Sequence, residues 1–267
     1  MNPDVWVPLT ILALTWIGKW IYDYVQEQRR IKRLLRYFMF CLTQTEETAI
    51  NHVRYLRAFR SVVISKVPRD LTIVKINSGV ALELIQEIGF KDLYLAHRRK
   101  ARKEFSVLIA KIKLVPVILN KCEDEVAEFF ERQNSSLSAF NGTIGKLQAF
   151  HNELALSLAR SELTQVDEEY FRQVDRILST WQRREDYMNP FVKHDLLFNE
   201  LHKVLRLNPG LVNSTLFRLN EIWQEGNHSF TDYTSNKKRF GTSFILAAIA
   251  LNKTIRDIRR YREISGF

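Results

Sequence analysis

Six histidines carry the widest chemical range in this sequence, and their spacing decides whether they can act together. His52, His97, His151, His194, His202 and His228 are scattered, whereas a metal or acid–base site needs several convergent ligands. His194 and His202 are eight residues apart, on roughly one helical face with Asp195 nearby, but they lack the i, i+4 step of a zinc-binding helix. Glu225-Gly226-Asn227-His228 has the Glu-x-x-His spacing of di-iron bundles. That spacing works only on a continuous helix, and Gly226-Asn227 reads as a helix terminus. Asp167-Glu168-Glu169 is the acidic first turn of a helix, favoured by the macrodipole. The chain has no Gly-x-Gly-x-x-Gly, Walker loop or nucleophile elbow, the linear signatures of phosphate cradling and acyl transfer. The expectation is a non-enzyme with no cofactor and no metal.

Cations are the other chemical resource. Arg98, Arg99, Lys100, Arg102 and Lys103 fall within six residues, Arg29, Arg30, Lys32, Arg33 and Arg36 within eight, and Arg256, Arg259, Arg260 and Arg262 close the chain's last helical pattern. Three uses compete: solvated helix surface, docking on anionic headgroups, and nucleic-acid binding. Against nucleic acid, the 98–103 cluster has no interleaved aromatics for base stacking. Residues 1–119 carry a net charge of +10, 120–186 of −5 and 187–267 of +5, so the basic excess lies at the N-terminal side.

What lies beside that excess is apolar. Val5 to Tyr24 carries only Lys19 and Asp23 as charges, and about 20 residues at ~1.5 Å each match a ~30 Å hydrocarbon core. Trp6 stands at one end, and Trp16, Trp20 and Tyr22 near the other, where Lys19 can snorkel to the interface. A single transmembrane helix is expected, with the N-terminus outside. The cluster from Arg29 to Arg36 then holds the rest in the cytoplasm, against an anionic inner leaflet. An interfacial helix is the alternative that Lys19 and Asp23 favour. Five Asn-x-Ser/Thr triplets, headed by Asn134, Asn141, Asn213, Asn227 and Asn252, are glycosylation acceptors only in a secretory lumen. With the basic cluster as the stronger topological signal, they read as helix caps and turns.

The remaining pattern is helical. With 46% hydrophobic residues but only nine Gly and six Pro in 267 residues, the chain has too few turn formers for a sandwich, barrel or doubly wound fold. Two Cys, 41 and 122, rule out a disulfide framework. Thr43 with Glu46 resembles a capping box, followed by a stripe from Ala49 to Val67 that Pro68 ends. Asp70 can cap a second helix that ends at Gly89, and Asp92 a third. Phe105, Leu108, Ile112, Val115, Leu119, Cys122, Val126 and Phe129 step by three and four without a miss, a heptad seam with Pro116 inside it. Pro116 predicts a kink or break, and the polar Gln133–Ser136 stretch predicts a hairpin that returns the stripe Leu137 to Leu158 against the seam. Thr164 with Asp167, Asn189-Pro190 and Asn208-Pro209 open later helices, the last of these ending at Gly226.

The sequence therefore predicts an all-α protein: an anchor at residues 1–28, a basic juxtamembrane helical segment at 29–66 and a cytoplasmic helical domain at 67–267, built as a multi-helix antiparallel bundle or an elongated helical domain. The function expected is that of a membrane-anchored scaffold, adaptor or assembly subunit working through protein partners or self-association of its helices. Two alternatives are an effector that oligomerises to perturb the bilayer and a membrane-tethered nucleic-acid binder.

Overall fold

The computed structural model describes residues 3–66, 85, 91, 93–94, 97, 99–207 and 214–265, with the side chains of 3–9 and 99–101 left out. Scarce glycine and proline let helices run long. Helix α1 is Pro3–Ile64, α2 is Arg99–Ala159 and α3 is Gln165–Gln182. Helix α4 consists of Pro190–Lys193 and Asn199–Arg206 flanking a π-helical turn at His194–Phe198, and α5 is Ser214–Ser265. No strand occurs among the described residues, and the fold is all-α as expected.

By its internal contacts the chain divides into two compact units. The first comprises Met1–Leu56, Lys75–Lys121 and Ala247–Phe267; the second comprises Arg57–Val74 and Cys122–Leu246. Helix α1 is continuous through residue 28, the boundary expected between the anchor and the juxtamembrane helical segment.

In the first unit, α1, α2 and α5 meet through aromatic rings. Phe38 lies edge-on to Phe105 at 5.5 Å and to Tyr261 at 6.1 Å, and His97 stacks on Phe105 at 4.5 Å. Such contacts add to the burial of the rings themselves. In the second unit Phe59 meets Phe129 at 6.2 Å and Phe244 at 4.9 Å, again joining α1, α2 and α5. A second core there gathers Phe140 and Leu147 of α2, Val174 of α3, Phe198 and Leu201 of α4 and Leu219 of α5, each wholly buried.

Helix starts follow local chemistry. Thr164 caps α3 by accepting from the Asp167 backbone N–H, and Asn189 caps α4 by accepting from Phe191 with Pro190 at the first helical position. Interior signals were misleading. Helix α2 passes through both Pro116 and Gln133–Ser136, so there is no break and no hairpin. The seam is buried on both sides of Pro116, with Val115 0% and Leu119 1% exposed, and that packing outweighs a loss of about 3 kcal/mol from one proline. The 133–136 stretch has no glycine or proline to end a helix, and Ser136 accepts a bond from Asn236 of α5. Gly226 does not end a helix either: a Cβ there would lie 1.9 Å from the Phe198 ring, so the missing side chain admits that ring against α5.

Thr43 and Glu46 are interior to α1 rather than a cap. Glu46 is buried and clasped by Arg259 at 2.6 Å and Arg262 at 2.8 Å, while Arg262 also donates to Thr43 at 2.6 Å. Asn134 and Asn141 lie inside α2, and Asn227 and Asn252 inside α5, not at caps or turns. The expected features at Asp70, Gly89, Asp92, Asn208-Pro209 and Asn213 lie outside the described residues.

Candidate functional site

The surface with the most to explain is the N-terminal part of α1. A helix is stable in a folded protein when its apolar stripe is covered by a neighbour. Between Ile11 and Val25 it is not: Leu12 and Trp16 are each 71% exposed, Leu14 68%, Tyr22 63% and Trp20 62%. Ile11, Ile17, Ile21 and Tyr24 are also exposed, so apolar side chains point outward on most sides of the helix. A polar line interrupts them: Thr15, Lys19 and Asp23 recur every four residues, on one side. Thr15 turns its hydroxyl back to the Ile11 carbonyl at 2.7 Å.

This arrangement does not support the expected span. Among the described residues no helix is long and apolar enough to cross a membrane. From Thr10 onward the apolar run is short and is broken by Thr15, Gly18, Lys19 and Asp23. Trp16, Lys19, Trp20 and Tyr22, four of the five expected anchor residues, are exposed on this segment, whereas the side chain of Trp6 lies outside those described.

Beyond the apolar segment comes charge with a regular geometry. Arg29, Lys32, Arg33 and Arg36 are exposed and fall at i, i+3, i+4 and i+7, one face of α1 over about 10 Å. That face continues the line of Ile11, Leu14, Gly18, Tyr22 and Val25, each a multiple of about 3.6 residues away. The opposite face at this level is Phe38's, which is wholly buried. No carboxylate among the described residues pairs with these four cations, whereas Arg30 is held by Glu27 at 2.8 Å.

The other basic clusters are partly committed to the fold. Arg102 donates to the His97 carbonyl at 3.0 Å and lies over the Tyr94 ring, leaving Lys103 exposed. Arg98 and the side chains of Arg99 and Lys100 lie outside the described residues. At the C-terminal end, Arg259 and Arg262 hold Glu46, and Arg260 reaches Glu104 at 3.7 Å. Sequence alone offered no way to see those pairings, because the carboxylates are more than 150 positions away.

Helix α2 shows two faces in the first unit. The seam residues Phe105, Leu108, Ile112, Val115 and Leu119 are at most 1% exposed, and in the second unit Val126 is 5% and Phe129 2% exposed. A second heptad line, Val107, Ala110, Leu114 and Val117, is exposed, with Leu114 at 55% and Val117 at 60%. Lys103, Lys113 and Lys121 flank it.

The histidines are mostly packing residues. His97 is buried, its Nδ1 at 2.5 Å from the Leu93 carbonyl and its Nε2 bonded to the Tyr261 hydroxyl. Burial lowers its pKa below the ordinary imidazole value and raises that of Tyr261. His194 stacks on Phe230 and meets Asn227 Oδ1 at 3.2 Å, while His202 stacks on Trp223. Glu225 pairs with Lys146 at 2.6 Å, and exposed His228 reaches Asp232 at 3.5 Å. Among the described residues no group of three or more His, Cys, Asp or Glu could hold a metal. Both cysteines are buried, and neither forms a disulfide.

One constellation escaped sequence reading. Lys237-Lys238 is visible only as the flank of an apolar run, yet in the second unit Lys66, Lys237, Lys238 and Phe191 line a cavity of about 300 Å³. Burial lowers the Lys237 pKa. Compared with protein-family models, curated proteins and solved structures, the chain matches none.

Proposed function

We propose that this protein is a helical adaptor held at a membrane by the N-terminal part of α1, which lies in the headgroup interface and presents the helical body to protein partners. The observation that carries the reading is the uncovered apolar segment from Ile11 to Val25 running into four cations on one helical face, Arg29, Lys32, Arg33 and Arg36. Apolar area removed from water supplies attraction at about 25 cal/mol per Å², and each cation near an anionic surface adds about 1 kcal/mol before salt screening. The polar line of Thr15, Lys19 and Asp23 suits a helix lying in the interface, which keeps one side in water. The anionic leaflet it fits is the cytoplasmic one. The adaptor part of the reading is supported by the exposed heptad line from Val107 to Val117. A short apolar stripe bordered by lysines suits a partner helix with acidic flanks better than a second copy of the same basic face.

Flotation of the full chain with vesicles tests the attachment. It should float with anionic vesicles and less with neutral ones. Replacing Trp16, Ile17, Trp20 and Ile21 together by Ser should leave it at the bottom of the gradient with an unchanged helical circular dichroism spectrum. Equal flotation of that variant would remove the segment from membrane binding. Changing Arg29, Lys32, Arg33 and Arg36 to Gln should abolish the preference for anionic lipid; a retained preference would assign it to another cationic surface.

A further inference from the structure

The lysine-lined cavity of the second unit goes beyond the membrane reading and does not depend on it. Three elements converge there: the end of α1 with Ile64 and the following Lys66, the first turn of α4 with Phe191, and the middle of α5 with Thr234, Lys237 and Lys238. The junction is tightly built. A Cβ on Gly241 of α5 would lie 2.6 Å from Ile64, so glycine lets the two helices approach closely. Asn189 donates to the Lys66 carbonyl at 3.3 Å, and Lys237 donates to the Ser65 carbonyl at 2.5 Å. That carbonyl follows the end of α1, where acceptors lack helical donors and a cation is favoured.

Neither bond uses the ammonium group of Lys66 or of Lys238. The Lys66 Nζ lies 6.0 Å and the Lys237 Nζ 5.3 Å from the centroid of the same Phe191 ring, and Lys237 is also 5.4 Å from the Tyr233 ring. Among the described residues no carboxylate pairs with any of the three lysines. Cation–π contacts offset part of the cost of gathering like charges beside an apolar wall, but they supply no countercharge. Three lysines line the cavity together with Ile64 and Phe191, a lining that suits a multiply charged anion carrying an apolar group.

We infer that the cavity binds a small phosphomonoester, its phosphate held by Lys66, Lys237 and Lys238 and its apolar body set against Ile64 and Phe191. A phosphomonoester fits this charge better than a carboxylate because it carries between one and two negative charges at neutral pH on three acceptor oxygens. Lysine serves such a group as a point charge with three donors. A volume of about 300 Å³ lies at the lower end for ligand pockets and sets the ligand's size. The same chemistry is offered by a soluble phosphate ester and by the headgroup of a phosphatidic acid.

Titration calorimetry of the full chain tests the inference with named probes: phenyl phosphate, inorganic phosphate, phenol and dihexanoyl phosphatidic acid below its micellar concentration. Phenyl phosphate should bind at least tenfold more tightly than inorganic phosphate, and phenol should give no binding heat. Lys66→Gln and Lys238→Gln should each weaken phenyl phosphate about tenfold, whereas Lys253→Gln, an exposed lysine of the first unit, should not. Because Lys237 also serves the end of α1, Lys66→Gln is the decisive variant and its melting temperature is measured alongside. No binding of phenyl phosphate by the unaltered chain overturns the site, as does equal binding by Lys66→Gln. Phosphatidic acid that competes with phenyl phosphate assigns the ester to a lipid, and phenyl phosphate that binds without such competition assigns it to a soluble metabolite; both uphold the site.

Discussion

Residues 11–25 of α1 and residues 105–129 of α2 are both apolar stretches of long helix, and they end in opposite environments. Leu108 and Ile112 are 1% exposed, while Leu12 and Trp16 are 71% exposed. The difference lies in arrangement rather than in apolar content. The α2 seam confines its apolar residues to one stripe, so a neighbouring helix can cover it while the other face stays in water. The α1 segment spreads its apolar residues around most of the circumference, leaving only the narrow polar line of Thr15, Lys19 and Asp23. One neighbouring helix could not cover such a surface, whereas a lipid interface covers a wide arc at once.

The widest test of this contrast is to place a carboxylate in each stretch. Ile112→Asp buries an unpaired charge and should cost about 3–5 kcal/mol in denaturant unfolding, whereas Ile17→Asp should leave the unfolding midpoint in detergent-free buffer unchanged. Equal loss from both would mean that the α1 segment is covered in solution. Glycines sharpen the same contrast at smaller scale. Gly226→Ala drives a methyl group into the Phe198 ring and should cost about 2–3 kcal/mol, while Gly18→Ala meets open space and should be neutral or slightly stabilising. Comparison of the two melting temperatures decides it.

Within α1 itself, Glu46 marks the part that has been absorbed into the fold. Glu46→Gln weakens its links to Arg259 and Arg262 and should cost about 1–2 kcal/mol, discounted because Arg259 is 58% exposed. Raised salt should shrink the difference from the unaltered chain. The smallest effect concerns pH. Burial, followed by the charge of Arg102, holds His97 below its ordinary pKa of 6.5, while the Leu93 carbonyl opposes the shift. The folded state thus keeps the neutral ring where the unfolded chain takes up a proton, so stability is fully present above about pH 6.5 and falls as pH drops toward the folded-state value. Unfolding free energies measured between about pH 7.5 and 5.5 should show that fall, and His97→Gln should flatten it.

Periodicity was the most legible feature of the sequence, for a physical reason: a buried stripe must repeat every three or four residues whatever covers it. The α2 seam and the caps at Thr164 and Asn189 were therefore readable from neighbours in sequence. Interruptions were not. Pro116 and Gly226 are local signals for ending a helix, and each was overridden by packing from elsewhere, in the last case by the Phe198 ring, while the polar Gln133–Ser136 stretch holds no helix breaker at all. Thr43 and Glu46 resembled a cap because the arginines that neutralise Glu46 lie more than 200 residues away. The cavity beside Phe191 was illegible for the same reason, since Lys66 and Lys237 come from opposite ends of the second unit's sequence. The apolar N-terminal stretch was seen, but counting residues favoured a span, and only the side-by-side polar line of Thr15, Lys19 and Asp23 argues for the interface.

Spin labels on one side of that segment test the attachment most directly. Cys41 and Cys122 are buried, so single cysteines at Leu14, Ile21 and Val25 can be labelled selectively in the full chain. Depth is then read from collisions with oxygen and with a water-soluble nickel chelate, in the presence of anionic vesicles. A helix lying in the interface places all three labels at one shallow depth, about 5–10 Å below the headgroups. Labels that stay as open to the nickel chelate as they are without vesicles would contradict membrane attachment. A depth that changes by about 1.5 Å per residue from Leu14 to Val25 would contradict the interfacial placement and return the segment to a membrane crossing.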